Sequence, residues 1–113
     1  MTPIPRTLLI HSADVRVYSI DPYWGGREPL YEEKLSFIRI EPMMEENMTA
    51  DEEYPRLSGR LFFDCLNSRP SGFEFILSSK RYEVDFMGET YTVKKVAPYF
   101  DNGRLHHYEV LLG

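Results

Sequence analysis

Three histidines and one cysteine are the residues of this chain best suited to metal binding or nucleophilic catalysis. His106 and His107 are sequence neighbours, and neighbouring side chains on a strand point to opposite faces, so we expect that they cannot chelate one ion together. His11 does not complete a ligand pattern such as HExxH. Cys65 follows Asp64 among apolar residues, without the base or positive charge that activates a thiolate. The sequence therefore predicts no catalytic residue, no metal site and no cofactor.

The most unusual stretch of the chain is the acidic segment, residues 41–57. Its six acids and three methionines are Glu41, Glu45, Glu46, Asp51, Glu52, Glu53, Met43, Met44 and Met48. The segment lacks the alternating Asp and Asn pattern with a central glycine that forms a calcium loop. We expect a long loop, in which Thr49 and Glu52 can cap a short helix. Loops of this length are uncommon between strands unless they are functional or disordered.

An aromatic pair, Tyr23 and Trp24, precedes two glycines in a stretch rich in turn residues. Large aromatic side chains on a loop can anchor a protein partner. The pair is therefore a candidate partner contact. The alternative is that Trp24 covers one end of the core.

The elements that must position these residues are clearest at the end of the chain, where residues 82–112 predict an antiparallel meander. Apolar residues occupy every second position of 82–86, the pattern of a half-buried strand. Gly88 follows where a hairpin requires a residue with positive φ. Residues 97–104 are predicted to form the second turn, around Asn102-Gly103.

Four further runs have the composition of strands, namely residues 7–11, 15–20, 31–40 and 59–66. The phase of the apolar residues changes within 31–40, which indicates a bulge or a strand that changes sheets. We expect a single all-β domain over residues 1–113. The predicted fold is a small antiparallel β-barrel, SH3-like or OB-like, with the long acidic loop in its middle.

Composition weighs against several classes of protein. Thirteen basic and eighteen acidic residues give a net charge of −5, whereas a general nucleic-acid binder needs a basic stripe to neutralise phosphates. A single cysteine excludes an intramolecular disulfide. Since no apolar run approaches the roughly 20 residues of a membrane span, we expect no membrane contact.

Residues 82–93 and 105–110 resemble the C-terminal half of tailed-phage head-completion proteins. This is the stopper or head–tail connector family, whose members are often labelled minor capsid proteins. The residues that carry the resemblance are Val84, Phe86, Gly88, Tyr91 and Val93. Residues 21–25 and the predicted strand that leads to Ile40-Glu41-Pro42 extend it over most of the chain.

The resemblance implies a virion protein of a tailed bacteriophage or prophage, made in the host cytoplasm. It implies a homo-oligomeric ring that closes the DNA-filled head and offers a docking surface to the tail, with a subunit that can be monomeric alone. The implied partners are the portal or adaptor ring, the tail-terminator protein and, inside the channel, packaged DNA. By its position, the acidic segment would be the loop that gates the channel.

A small barrel also leaves a second function open, that of an SH3-like or OB-like module that binds a peptide or single-stranded nucleic acid. Salt-dependent affinity for single-stranded DNA would favour it. An enzyme ranks third, because no His, Cys or carboxylate group converges in the sequence.

Overall fold

The computed structural model describes residues 2–20, 28–44 and 57–113, and six strands fill most of these ranges. They are β1 (His11–Ser19), β2 (Tyr31–Met44), β3 (Leu57–Asp64), β4 (Lys80–Phe86), β5 (Glu89–Asp101) and β6 (Arg104–Leu112). The strands form a closed barrel in the order β1-β2-β3-β6-β5-β4, with antiparallel pairing throughout. No helix occurs within the described ranges, so the predicted all-β antiparallel barrel is confirmed.

The interior of the barrel is built from the alternating apolar residues. Val15 and Val17 on β1 stand opposite Val84 and Tyr82 on β4, and all four are fully buried. Burying one such side chain contributes about 1.5–3 kcal/mol. The period-2 pattern that predicted the strands is therefore also what fills the core.

The connection between β3 and β4 adds Phe73 and Phe75 to this core. Their ring centroids lie 5.0 Å apart, edge to face, and Phe75 also packs 5.3 Å from the ring of Tyr82. The Tyr82 hydroxyl accepts a hydrogen bond from the Ile76 amide (2.8 Å) and donates one to the Glu74 carbonyl (3.1 Å). Because a buried hydroxyl needs such partners, Tyr82 fixes the connection against the barrel.

The predicted phase change in β2 is confirmed as a bulge at Phe37. This residue has a φ of 53°, and the register with β1 shifts between His11 and Ser12, opposite it. Residues 31–38 pair with β1 and residues 39–44 pair with β3, so the strand also changes partner at the bulge.

Two tight hairpins join the last three strands. Met87 and Gly88 have φ values of 51° and 81°, which confirms the expected positive φ at Gly88. Asn102 and Gly103 have φ values of 50° and 76°, the pattern of a second two-residue turn. The predicted turn over 97–104 is too long, because β5 stays paired with β6 as far as Asp101.

The predicted strand over residues 7–11 is wrong. The amides of Leu8 and Leu9 donate to the carbonyls of Pro5 and Arg6, so this part of the chain turns before β1 begins at His11. From there β1 is continuous to Ser19, so residues 12–14, which lay between the predicted strands 7–11 and 15–20, belong to β1, with a register shift beside His11.

Candidate functional site

The two candidate functional segments adjoin opposite ends of β2. We call the end that holds Met44, Leu57 and the 87–88 turn the acidic end, and the end that holds Ser19 and Tyr31 the aromatic end. A strand rises about 3.3 Å per residue, so the 14 residues of β2 trace a path of roughly 40 Å from one end to the other. One side chain cannot serve both segments.

The acidic segment begins later than predicted. Residues 41–44 continue β2 because residues 57–60 of β3 provide backbone partners for them. Met44 stands opposite Leu57, so the last described residue before positions 45–56 and the first one after them are paired. Both ends of the segment are therefore anchored on the ladder at the acidic end.

Two predicted site residues of the acidic segment, Glu41 and Met43, accept hydrogen bonds from neighbouring side chains. The exposed carboxylate of Glu41 accepts a hydrogen bond from Arg39 Nε at 2.8 Å, because residues two apart on a strand share a face. Such an exposed ion pair is worth about 0–1 kcal/mol. Met43 is half-buried, and its carbonyl accepts the Ser58 hydroxyl at 3.2 Å.

The other predicted site residues lie outside the described residues. They are Tyr23, Trp24, Glu45, Glu46, Met48, Asp51, Glu52 and Glu53, together with the helix cap expected at Thr49. Among the described residues close to positions 21–27 in the chain, Ile20 and Leu30 are apolar and 52% and 57% exposed, whereas Glu28 is exposed and charged. With the exposed Tyr31, Ile20 and Leu30 give the aromatic end an apolar rim.

A cavity of about 380 Å³ opens at the acidic end, between the base of the acidic segment and the 87–88 turn. His11 lies in its wall, where its Nδ1 accepts the amide of Ile40 at 3.0 Å and its ring packs 4.9 Å from that of Phe86. Burial, and then the nearby charge of Arg39, lower the pKa of His11 below its usual 6.5. The neutral ring is therefore favoured here.

His106 and His107 lie closer together than strand alternation predicted. Their Nδ1 atoms are 2.7 Å apart, and the rings meet edge to face at 5.0 Å. The register of β5 and β6 shifts here, with Tyr99 opposite His107 and Phe100 opposite Leu105, which leaves His106 as an extra residue on β6. Two successive residues then oppose one partner, so the alternation that would separate their side chains does not hold.

The N-terminal residues form a strap, residues 2–10, whose contacts with the barrel the sequence did not predict. Its carbonyls bind three side chains of the barrel and its connection: Thr2 accepts His106 Nε2 (2.7 Å), Ile4 accepts Asn67 Nδ2 (2.8 Å) and Leu8 accepts Arg39 Nη1 (3.2 Å). Leu9 is buried, and the Arg6 guanidinium lies 4.8 Å from the centre of the Phe37 ring. The strap is thus held by polar contacts along its length.

Asp64, at the end of β3, is fully buried and holds three segments together. Its Oδ1 accepts the amide of Ile4 in the strap (3.0 Å), and its Oδ2 accepts the amides of Leu66 and Asn67 (3.1 and 2.8 Å). Ser68 donates its hydroxyl to the Phe37 carbonyl at the bulge and accepts the Asp64 amide. The sequence did not predict this cluster, because the turn residues that follow Asp64 do not show that Asp64 is buried.

Cys65 is half-buried beside this cluster. Burial, and the nearby charge of Asp64, raise the pKa of its thiol. The protonated thiol is therefore favoured.

Within the ranges that the structure describes, no three His, Cys, Asp or Glu side chains are grouped as metal ligands would be. In the same ranges no helix has the length and apolarity needed to span a bilayer. The described polar clusters, at Asp64 and at the histidine pair, join segments of the fold to one another. The Asp64 cluster is buried and the histidine pair is partly exposed, and both stabilise a small closed antiparallel barrel, which is the class of protein that the described residues define.

Comparison with known families assigns this barrel to a family. The sequence model of the family described as minor capsid protein matches residues 5–112, nearly the whole chain. The protein therefore belongs to the minor capsid protein family, and it is a structural component of a virus particle. No curated protein and no solved structure matches the chain.

Proposed function

We propose that this minor capsid protein is a head–tail connector subunit of a tailed bacteriophage or prophage. It forms a ring below the portal or adaptor, closes the DNA-filled head and offers the tail-terminator protein a docking surface. The observation that carries the proposal, together with the family, is the pairing of Met44 with Leu57. It fastens both ends of an acid-rich segment to one end of a closed barrel.

Charge indicates what such a segment does in a ring. Residues 45–56 hold five acids and one arginine, and each acid repels a DNA phosphate. Two unit charges 10 Å apart in water interact by about 0.4 kcal/mol, and physiological salt removes roughly two-thirds of that. A single segment is therefore a weak barrier. Several copies pointing into one channel add their repulsion and also fill the space.

The test is to produce filled heads carrying a subunit in which residues 46–53 are replaced by a short glycine-serine linker. We expect the purified variant to melt like the parent, because the barrel lies outside the change, while the heads lose DNA to added nuclease. Heads that retain their DNA would contradict the gating role.

A matched variant of unchanged length separates charge from bulk. It converts the acids to their amides at Glu45, Glu46, Asp51, Glu52 and Glu53. If repulsion dominates, heads with the amide variant lose DNA as heads with the linker variant do, and parent heads lose more DNA as the salt concentration increases. If bulk dominates, only heads with the linker variant lose DNA.

For the opposite end we propose that Tyr23 and Trp24 contact a neighbouring protein of the virion. The exposed Ile20, Leu30 and Tyr31, which lie close to this pair in the sequence, support this, because apolar rims mark protein contacts. Trp24→Ala should reduce binding of the purified subunit to heads or to the tail-terminator protein without changing its melting temperature. Unchanged binding of both would exclude this contact. Salt-dependent binding of single-stranded DNA by the isolated subunit would instead favour the binding-module function.

A further inference from the structure

The two adjacent histidines of β6 form a chain of three polar contacts that crosses from the strap to the barrel wall. His106 Nε2 lies 2.7 Å from the Thr2 carbonyl oxygen, and the two Nδ1 atoms lie 2.7 Å apart. His107 Nε2 lies 3.1 Å from Glu109 Oε2. The His107 ring is also stacked on Tyr99, 4.8 Å away and nearly parallel, which restricts its rotation.

The three contacts of this chain need more protons than two neutral histidines supply. A carbonyl and a carboxylate only accept hydrogen bonds, so both Nε2 atoms must carry a proton. In two neutral rings both Nδ1 atoms are then bare, and their lone pairs face each other. Three contacts need three ring protons, whereas two neutral imidazoles supply two. One additional proton, placed between the Nδ1 atoms, completes the chain.

The short distance between the Nδ1 atoms favours a proton over a metal ion. An N–H···N contact of 2.7 Å is a short hydrogen bond, as expected when one partner is charged. Two nitrogens that bind one tetrahedral zinc ion, each at about 2.0–2.1 Å, stand roughly 3.3 Å apart. A metal ion would therefore have to push the rings apart.

The charges around the pair are balanced. The carboxylates nearby are Glu109 on β6, Asp64 opposite His107 on β3, Glu41 on β2 and Asp101 on β5. The cations are Arg60 on β3, 3.6 Å from Glu109, Arg39 on β2, Lys95 on β5 and Arg104 on β6. The Cys65 thiol lines the same cavity as His106. Tyr99 is the titratable group on the stacked face. Since Glu109 is the one in direct contact, the surroundings accommodate one positive charge on the pair.

We propose that His106 and His107 form a binding site for a single proton, which the two rings share and which clamps the strap to β6. The clamp is complete when the pair carries one extra proton. Loss of that proton removes one of the three contacts. A second extra proton sets two N–H groups against each other and breaks the link between the rings. This proposal is independent of the proposed connector function.

The test is a titration of the full chain with ¹⁵N-labelled histidine, followed by NMR from pH 8.5 to 4.5. We expect the pair to take up its two protons in two separate steps, with both Nε2 atoms protonated throughout. His11, which lies on β1, serves as the internal reference and takes up one proton in one step. Exchange protection of the Ile4 amide should be highest between the two steps. It should fall about fivefold on either side, the effect of one hydrogen bond.

Two variants show whether the sharing itself matters. In His106→Gln the amide can still donate to the Thr2 carbonyl, so the strap contact stays while the ring pair is lost. In His107→Gln the donor to Glu109 is kept in the same way. The remaining histidine should then titrate in one step, and the maximum in strap protection should disappear.

Three results would overturn the proposal. The first is a parent in which His106 and His107 titrate independently in single steps, a result that does not depend on whether either variant folds. The second is a strap protection that does not change with pH. The third is a shift of both rings on addition of zinc chloride that His106→Gln abolishes, which would make the pair a metal site.

Discussion

Replacing Asp64 by alanine should be among the most destabilising single changes in this barrel. The side chain is fully buried and accepts the amides of Ile4, Leu66 and Asn67 at 2.8–3.1 Å. Alanine leaves all three donors without this acceptor, and a buried donor without a partner costs about 1–3 kcal/mol. The cost therefore falls on the strap and on the turn after β3 together.

The size of the loss in stability depends on which of the three amides can bond to water in the variant. Ile4 belongs to the strap, which can detach, so its contribution lies at the low end of that range. Leu66 and Asn67 are held in the turn, where the Ser68 amide also bonds the Asp64 carbonyl at 2.9 Å. Removal of the carboxylate relieves its own desolvation, which offsets part of the loss. We expect a net decrease of about 3–5 kcal/mol, against a typical total stability of 5–15 kcal/mol.

Asp64→Asn divides the effect between the two segments. An amide oxygen in the Oδ2 position still accepts Leu66 and Asn67, while its NH₂ group faces the Ile4 amide, donor against donor. The strap should detach and the turn should remain, at a cost of about 1–3 kcal/mol.

Urea unfolding followed by far-UV circular dichroism measures both losses, and hydrogen exchange at Ile4, Leu66 and Asn67 locates them. Asp14→Ala, an exposed carboxylate on β1, is the control and should stay within about 0.5 kcal/mol of the parent. The reasoning is refuted if the free energy of unfolding of Asp64→Ala lies within about 1 kcal/mol of that of the parent. It is also refuted if the alanine and asparagine variants expose the same amides.

The remaining predictions concern the core, a turn and pH. Val93→Asp should unfold or aggregate the protein, because it brings an unpaired charge into a buried position. Phe86→Asp should have the same effect but less severely, since Phe86 is only half-buried. A soluble variant with a normal far-UV signal would contradict either expectation. Gly88→Val should cost at least about 1–2 kcal/mol through backbone strain alone, because φ is 81° and a Cβ there meets no atom within 4 Å; a melt identical to the parent's would show that the turn tolerates valine. The lowered pKa of His11 means that the unfolded chain binds this proton more readily, so stability should decline as pH falls below 6.5, and His11→Gln should reduce that slope in urea melts at pH 7.5 and 5.5. The hydrogen bond from Arg16 lowers the pKa of Asp85, so the ionised Asp85 carboxylate stabilises the folded protein above pH 3.8, and this stabilisation is lost in more acidic solution. Arg16→Gln should weaken that acid dependence only slightly, because the carboxylate is one-third exposed.

The regular part of the fold was largely legible in the sequence. Strand alternation, the positive φ at Gly88 and the phase change near Phe37 all depend on a few neighbouring residues, and local physics decides them. The resemblance carried by the Val84–Val93 hairpin pointed to the minor capsid family, to which the chain belongs. The acidic segment and the aromatic pair were found from composition alone, and their functions stay predictions.

The contacts between distant segments were decided only by the tertiary structure. Alternation placed His106 and His107 on opposite faces, but an irregularity in the pairing of β5 with β6 brings their Nδ1 atoms to 2.7 Å. Register between strands depends on the whole sheet, so two adjacent letters cannot reveal it. The burial of Asp64 under a strap 60 residues earlier in the chain is of the same kind. The sequence by itself determined the strands and most of the turns, whereas long-range packing determined which polar groups the barrel would bury and join.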